Sequence, residues 1–204
     1  MQQHWEHVYE TKAPDEVSWY RPHLETSLQL VERAAQGIGE PSIIDVGGGA
    51  STLVDDLVSR GFAQVTVLDI SRRALEVARQ RMGAAENCVT WLHADVLHAT
   101  FAEHAYDVWH DRAVFHFLTM EEERRRYVLQ VAQAVKQGGY VIVSTFGAEG
   151  PRKCSGLDAM RYDAEGLHAQ FGTRFRLVES CEERHDTPFG TQQQFLYCLC
   201  RVEG

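Results

Sequence analysis

The stretch that decides the fold spans residues 43–52 and reads Ile43-Ile44-Asp45-Val46-Gly47-Gly48-Gly49-Ala50-Ser51-Thr52. Its apolar beginning predicts a buried strand of a parallel sheet, and it leads directly into three glycines. Glycines between a strand and a helix let the backbone approach a ligand closely. The N-terminus of the following helix offers free N–H groups to a carboxylate or phosphate. A tight turn without a ligand also uses glycine, so the three glycines alone do not establish a ligand site and other motifs in the chain are needed.

The same alternation of strand and helix continues along the chain. Strands are predicted at residues 42–46, 64–68, 89–93, 106–110 and 140–145, and helices at 24–35, 52–59, 71–82 and 120–136. Ser71 is a predicted N-cap, and Gly61 and Gly83 end the helices before them. This alternation predicts a parallel sheet with helices on both faces.

The last part of the chain departs from this alternation. Residues 175–182 and 193–201 are strand-like, and the link between them contains turn residues instead of a helix. Two consecutive strands joined by a turn form an antiparallel pair. With the five preceding strands, the pair predicts an α/β fold: a Rossmann-like, doubly wound sheet of seven strands, mostly parallel, with an antiparallel terminal strand.

Acidic residues close three successive predicted strands. They are Asp45, Asp69 and Asp95. The carboxyl ends of parallel strands meet at one edge, where ligands bind. Asp45 would repel a pyrophosphate but attract a cationic amino group, Asp69 would bind two ribose hydroxyls, and Asp95 would accept the adenine amine. The acids therefore favour S-adenosyl-L-methionine over NAD as the cofactor. The predicted cofactor site also includes Gly47, Gly49, Ile70 and Val96.

With these motifs the chain resembles the class I S-adenosylmethionine-dependent methyltransferases over residues 43–145. The glycine loop departs from the family's E/D-x-G-x-G-x-G form, because Ser51 replaces the last glycine. A serine at that point still caps a helix. Asp111-Arg112-Ala113 is similar to elements of both thiopurine-type and protein-lysine methyltransferases, so the resemblance implies the activity but not the subgroup.

The resemblance also implies that the end of the fourth strand faces the methyl group and the acceptor. His110 and Asp111 lie there and are the candidate catalytic residues. His110 is a candidate general base and also a candidate cofactor ligand. The alternative for His110 is a packed side chain with one hydrogen bond.

The first 23 residues are rich in aromatic side chains, among them Trp5, Tyr9, Trp19 and Tyr20. Aromatic rings attract a sulfonium cation, and Arg21 suits a carboxylate. We therefore expect residues 1–23 to form a lid in which Trp19 and Arg21 contact the cofactor. The alternative is that the rings only attach this segment to the core.

An irregular stretch at residues 147–161 follows the fifth strand and reaches the ligand edge. Long loops at such an edge are often functional. Arg152 and Lys153 are therefore the candidate residues for binding an acidic substrate, whereas Cys154 is interpreted as an ordinary free thiol.

Composition limits the remaining possibilities. The 204 residues suit one domain, and a formal net charge of −9 disfavours nucleic acid as a partner. The five cysteines include no C-x-x-C pair, which indicates a reducing compartment, and we predict no metal site. No apolar stretch suits a signal peptide or a membrane span, so a cytoplasmic location without membrane contact is expected.

These features predict a methyltransferase that acts on a small-molecule acceptor, with a protein substrate as the alternative. An NAD-dependent oxidoreductase would need G-x-G-x-x-G, and Thr52 stands at the last glycine position. A binding module that keeps the fold without turnover is the third interpretation.

Overall fold

The computed structural model describes residues 1–203, over which the chain forms six α-helices and nine strands. The helices are α1 (Gln2–Thr11), α2 (Glu25–Ala34), α3 (Leu53–Ser59), α4 (Arg72–Met82), α5 (Glu121–Ala134) and α6 (Ala164–Phe171). The strands are β1 (Ser42–Val46), β2 (Gln64–Asp69), β3 (Val89–His93), β4 (Tyr106–Arg112), β5 (Val135–Phe146), β6 (Lys153–Cys154), β7 (Leu157–Asp158), β8 (Phe175–Asp186) and β9 (Gln192–Val202).

Seven of these strands form one sheet in the order β3-β2-β1-β4-β5-β9-β8. Neighbours among β1 to β5 pair in parallel, whereas β9 pairs antiparallel with both β5 and β8. The predicted doubly wound α/β fold is therefore confirmed, including its antiparallel strand. Strand order reverses between β1 and β4, and such a switch point opens a crevice at the carboxyl ends of the strands.

Both faces of the sheet are buried, as the continuous apolar strands predict. Ile43 faces one hydrophobic cluster, which contains α2 and α3, and Ile44 faces another, which contains α5 and α6. Both isoleucines are fully buried. Because successive strand residues point to opposite faces, one short apolar run supplies both cores.

The structure differs from the sequence prediction at the start of β5. A helix was expected to continue to residue 136, but α5 ends at Ala134 and β5 begins at Val135. Lys136 Nζ contacts Asp107 Oδ2 at 2.7 Å, which ties the early part of β5 to β4. The register of this pair shifts between Tyr106 and Val108, so the extra residues form an irregular extension of the strand.

Three elements were not predicted: α1, α6 and the short hairpin of β6 and β7. Asp163 caps α6 by accepting from Gly166 N–H at 2.7 Å, and Leu167 and Phe171 are buried one helical turn apart. The hairpin lies within the stretch 147–161 that was interpreted as irregular. No helix within residues 1–203 is long and apolar enough to cross a membrane.

Candidate functional site

The glycine loop after β1 fits tightly against neighbouring strand ends. Gly47 and Gly49 have φ angles of 71° and 32°, in the left-handed region that favours glycine. A Cβ at Gly47 would lie 2.1 Å from Val114 Cγ2, and one at Gly49 would lie 2.5 Å from Asp69 Oδ2. Both positions therefore require glycine.

Asp45 and His110 form a buried pair, because the register of β1 and β4 places them side by side. His110 Nδ1 donates to Asp45 Oδ1 at 2.7 Å. In the neutral imidazole this leaves a lone pair on Nε2. Neither Nε2 nor Asp45 Oδ2 has a hydrogen-bond partner within residues 1–203, and both residues line a cavity of about 530 Å³. Two unsatisfied acceptors suit a cationic amino group with several N–H donors.

Asp69 ends β2 and is almost fully buried. Its Oδ1 accepts a hydrogen bond from Ser71 N–H at 2.7 Å, while Ser71 Oγ caps α4 by accepting from Ala74 N–H at 3.1 Å. Burial raises the pKa of Asp69 to about 7, and nearby Asp45 and Glu6 add to the rise. A ligand that donates hydroxyl groups would stabilise the carboxylate form.

Asp95 follows β3 and is held by its own turn. Its Oδ1 accepts from Leu97 N–H at 2.9 Å, and its Oδ2 lies 3.0 Å from His98 Nδ1. Asp95 and Val96 line a second cavity of about 1110 Å³ together with Asp69. The three acids of the sequence prediction therefore border one continuous edge, since the two cavities share Gly47.

The structure brings most predicted cofactor residues to these two cavities. Lining residues from that set are Trp19, Arg21, Asp45, Gly47, Asp69, Ile70, Asp95, Val96 and His110. Gly49 lies in the loop between the lining residues Gly48 and Ala50. The first cavity has unsatisfied acceptors, β2 ends in a buried carboxylate, and the loop after β1 forms a glycine cradle. Together these features fit S-adenosylmethionine with its amino acid, ribose and adenine parts.

Residues 44–143 match the model of the methyltransferase domain family. The chain contains a class I S-adenosylmethionine-dependent methyltransferase domain.

Curated relatives support this assignment. The ubiquinone biosynthesis O-methyltransferase of Vibrio cholerae is 32% identical over 119 residues, which are 58% of this chain and 47% of that protein. The malonyl-[acyl-carrier protein] O-methyltransferase of Anoxybacillus flavithermus is 31% identical over 109 residues, with 52% and 39% covered. The chain thus spans about half the length, or less, of these two relatives.

Solved structures show the same fold. The N-methyltransferase NodS from Bradyrhizobium japonicum, in complex with S-adenosylhomocysteine, superposes with a TM-score of 0.71 at 17% identity and covers 98% of each chain. A structure from work on the conversion of a disulfide bond into a thioacetal group during echinomycin biosynthesis reaches 0.76 at 18% identity, covering 100% of this chain and 92% of that one.

The N-terminal part of the methyltransferase domain forms an aromatic cover, which we define as Trp5, Tyr9 and Trp19. Trp5 packs edge-on against Trp19 at 5.6 Å and against Phe117 at 5.2 Å, measured between ring centroids. Trp5 lines the second cavity, and Tyr9 and Trp19 line both cavities. The rings therefore attach the segment to the core and also form cavity walls.

Glu6 attaches α1 to the start of α4, which sequence reasoning missed. Its carboxylate accepts from Ser71 Oγ at 2.9 Å, from Arg72 N–H at 2.8 Å and from Arg73 N–H at 3.0 Å. Burial acts to raise the pKa of Glu6, but the backbone hydrogen bonds outweigh it and hold the pKa below its ordinary value. An acid at a helix N-terminus is also favoured by the helix dipole.

Asp111 does not lie in the catalytic position that the sequence predicted. It points away from His110 into the core, where Oδ1 accepts from Val114 N–H at 2.8 Å and Oδ2 accepts from Tyr127 Oη at 2.5 Å. The residue is fully buried, lines neither cavity, and burial raises its pKa to about 6. Adjacent strand residues face opposite sides, so His110 and Asp111 cannot share one site. Asp111 shapes the loop after β4.

Arg152 and Lys153 also lie apart from the cavities. Both are exposed and absent from the cavity walls, and Lys153 Nζ pairs with Asp158 Oδ1 at 3.4 Å across the hairpin. The hairpin instead turns Cys154 inward, into the wall of the second cavity. The sequence placed the stretch 147–161 at the correct edge, but Lys153 faces solvent because it alternates with the buried Cys154 in β6.

Arg112, which the sequence indicated only as part of Asp111-Arg112-Ala113, lines both cavities. Its side chain is 7% exposed, and Nε donates to Tyr197 Oη at 3.0 Å. The sequence signal that could have identified Arg112 as a cavity residue was its position at the end of β4.

Proposed function

We propose that this methyltransferase domain transfers a methyl group to a small-molecule acceptor that occupies the second cavity. The observation that carries the proposal is the cavity of about 1110 Å³ that extends from Asp69 and Asp95 to Phe146 and Cys154 beneath the aromatic cover. Its wall combines the acids of the proposed cofactor site with aromatic and aliphatic side chains beyond them, as in sites that hold an acceptor beside the cofactor.

Different residues along the edge of the sheet would bind different parts of the cofactor. Asp45 and His110 would hold the amino group of the cofactor, Asp69 the ribose and Asp95 the adenine. When bound, S-adenosylmethionine supplies an electrophilic methyl group on a sulfonium. The aromatic cover would exclude water once both partners are bound, and alignment of two bound partners contributes up to ~7–11 kcal/mol in favourable cases.

His110 acts in this proposal as a cofactor-binding residue. Its imidazole lines the first cavity but not the second, and one nitrogen is committed to Asp45. A general base must reach the proton that it removes. The position of His110 favours the amino acid end of the cofactor over the acceptor.

Labelled methyl transfer tests the proposal. The protein is incubated with S-adenosylmethionine labelled on the methyl group and with a cell extract separated into small-molecule and protein fractions. We expect label in the small-molecule fraction, and none with Asp69→Ala because the ribose site is lost. Glu10→Ala, an exposed acid on α1, is the matched control and should keep transfer.

Two results would overturn the proposal. Label in proteins alone would favour the protein-lysine methyltransferase interpretation. Tight S-adenosylhomocysteine binding without transfer to either fraction would favour a binding module without turnover.

A further inference from the structure

We propose that the acceptor is an apolar small molecule with one anionic group, and that Arg112 binds this group. The inference rests on the proposed function, because it names the acceptor class for the same cavity. Arg112 reaches the second cavity from the end of β4.

The part of the chain that the structure describes contacts Nε, Nη1 and one face of the Arg112 guanidinium but makes no hydrogen bond to Nη2. Nε donates to Tyr197 Oη at 3.0 Å, Nη1 donates to the carbonyl of Trp19 at 3.3 Å, and the group lies 4.3 Å above the ring of Phe195. Nη2 has no hydrogen-bond partner within residues 1–203, although the side chain is more than nine-tenths buried. A buried charged donor without a partner is costly, so a ligand that accepts from Nη2 would gain that free energy.

The charge of Arg112 is only partly balanced by the protein. The nearest carboxylate is Glu183, whose Oε1 lies 3.7 Å from Arg112 Nη2 but 3.2 Å from Arg21 Nη1. Two guanidinium groups therefore share this buried carboxylate, and the closer contact belongs to Arg21, which also lies 3.7 Å from the exposed Glu25 Oε2. The ion pair of Arg112 with Glu183 is long and leaves Nη2 without a hydrogen bond among the described residues, in a place where low water content strengthens electrostatic attraction to a ligand.

The other titratable groups around Arg112 do not supply this charge. Burial, followed by the charge of Arg112, lowers the pKa of His116 to about 3, and the same two causes lower the pKa of His185. Burial raises the pKa of Cys154 to about 11, and it also raises the pKa of Tyr197. At neutral pH these groups are uncharged, so none of them balances the charge of Arg112.

The remaining wall selects an apolar body. Aromatic and aliphatic side chains line the same cavity as Arg112, namely Trp5, Trp19, Val114, Phe117, Phe146 and Phe195. Rings alone would also suit a cation. The partly balanced guanidinium opposes a cation and favours a carboxylate or a deprotonated hydroxyl or thiol on an aromatic or aliphatic frame.

Matched ligands of equal shape test the inference by calorimetry on protein saturated with S-adenosylhomocysteine. The probes are 1-naphthoate and its neutral amide, 1-naphthamide. We expect the wild type to bind the carboxylate about tenfold more tightly, as a charge-assisted hydrogen bond predicts. Arg112→Gln should abolish this preference, and Glu183→Gln should tighten naphthoate binding because Arg112 loses its competing carboxylate. The exposed pair Arg152→Gln with Lys153→Gln is the matched control and should leave the preference unchanged.

Several outcomes would overturn the inference. They are equal binding of the two probes by the wild type, a preference that survives Arg112→Gln, and tighter binding of 1-naphthylmethylammonium than of naphthoate. S-adenosylhomocysteine binding shows whether Arg112→Gln is folded; if it is not, unchanged or weaker naphthoate binding by Glu183→Gln contradicts the inference. Naphthol and thionaphthol in the same titration separate the possible anionic groups. Labelling of a neutral or cationic small molecule would refute the anionic acceptor but leave the proposed function intact.

Discussion

Burial raises the pKa of Asp69 to about 7, although a hydrogen bond from Ser71 N–H lowers it. In the proposed site the ribose hydroxyls donate hydrogen bonds to Asp69, so we expect the cofactor to bind the carboxylate form. Below the pKa of the free protein the carboxyl must first lose its proton, and affinity for S-adenosylhomocysteine should fall by up to about tenfold per pH unit as the pH decreases from about 7. Above that pH the affinity should level off.

Calorimetry across the pH range checks this prediction. Asp69→Asn should bind more weakly and lose the pH dependence, because an amide neither titrates nor accepts with both atoms. Asp158→Asn, an exposed acid on the hairpin, is the control and should follow the wild type. A folded Asp69→Asn protein with the wild-type affinity and profile would refute the assignment of this residue to the ribose.

The positions that the sequence predicted correctly at the edge of the sheet are those fixed by the ends of strands. Asp45, Asp69 and Asp95 each follow an apolar run, so their place at one edge depends only on the parallel topology. His110 was ambiguous because its hydrogen bond to Asp45 depends on the register of β1 and β4. Asp111 lies outside the cavities because its neighbours in space, including Tyr127, come from a helix whose packing a single sequence does not encode locally.

Among the elements, α1 is attached beside the predicted cofactor edge through one side chain, and we predict that it controls access to this edge. Glu6 accepts three hydrogen bonds from the first turn of α4, directly after Asp69. Glu6→Ala should remove this attachment, accelerate dissociation of S-adenosylhomocysteine and lower the free energy of unfolding by ~1 kcal/mol, the usual effect of losing a helix cap. Stopped-flow fluorescence of Trp5 and Trp19 would measure the dissociation rate.

The control for this prediction is Glu10→Ala, which removes an exposed acid from the same helix. It should leave the dissociation rate unchanged. Equal dissociation rates for Glu6→Ala and the wild type would show that α1 stays in place without the Glu6 carboxylate. Packing of the aromatic rings alone would then hold the aromatic cover over the cofactor edge.

The elements that could not be predicted share a physical cause. α1 and α6 are short helices, and short helices form through tertiary contacts more than through their own propensity. In α1 only Val8 is buried, and the helix is held by Glu6 and Trp5 against distant loops. β5 begins early because Lys136 pairs with Asp107 on another strand. The buried strands were predictable since their apolar runs are local.

At the scale of the whole molecule, segments far apart in the chain meet at one edge of the sheet. His4 on α1 lies 3.3 Å from Ser155 on the hairpin, measured from Nε2 to Oγ, while Glu6 of the same helix reaches α4. The cleft is therefore bordered by the N-terminal segment, the glycine loop and the hairpin together. A cofactor that contacts this edge should couple segments that have few other contacts.

This coupling predicts that S-adenosylhomocysteine stabilises the molecule unevenly. At a ligand concentration of about 100 Kd, the free energy of unfolding should rise by ~2.7 kcal/mol, since the ligand binds only the folded state. Hydrogen exchange should slow in α1, in residues 47–52 and in residues 94–98, because all three border the cleft. Residues 135–139 lie at the opposite edge and should exchange at the same rate with and without ligand. Asp69→Asn should lose both effects at that concentration. Protection confined to residues 47–52, with α1 unchanged, would show that the N-terminal helix does not close over the bound cofactor.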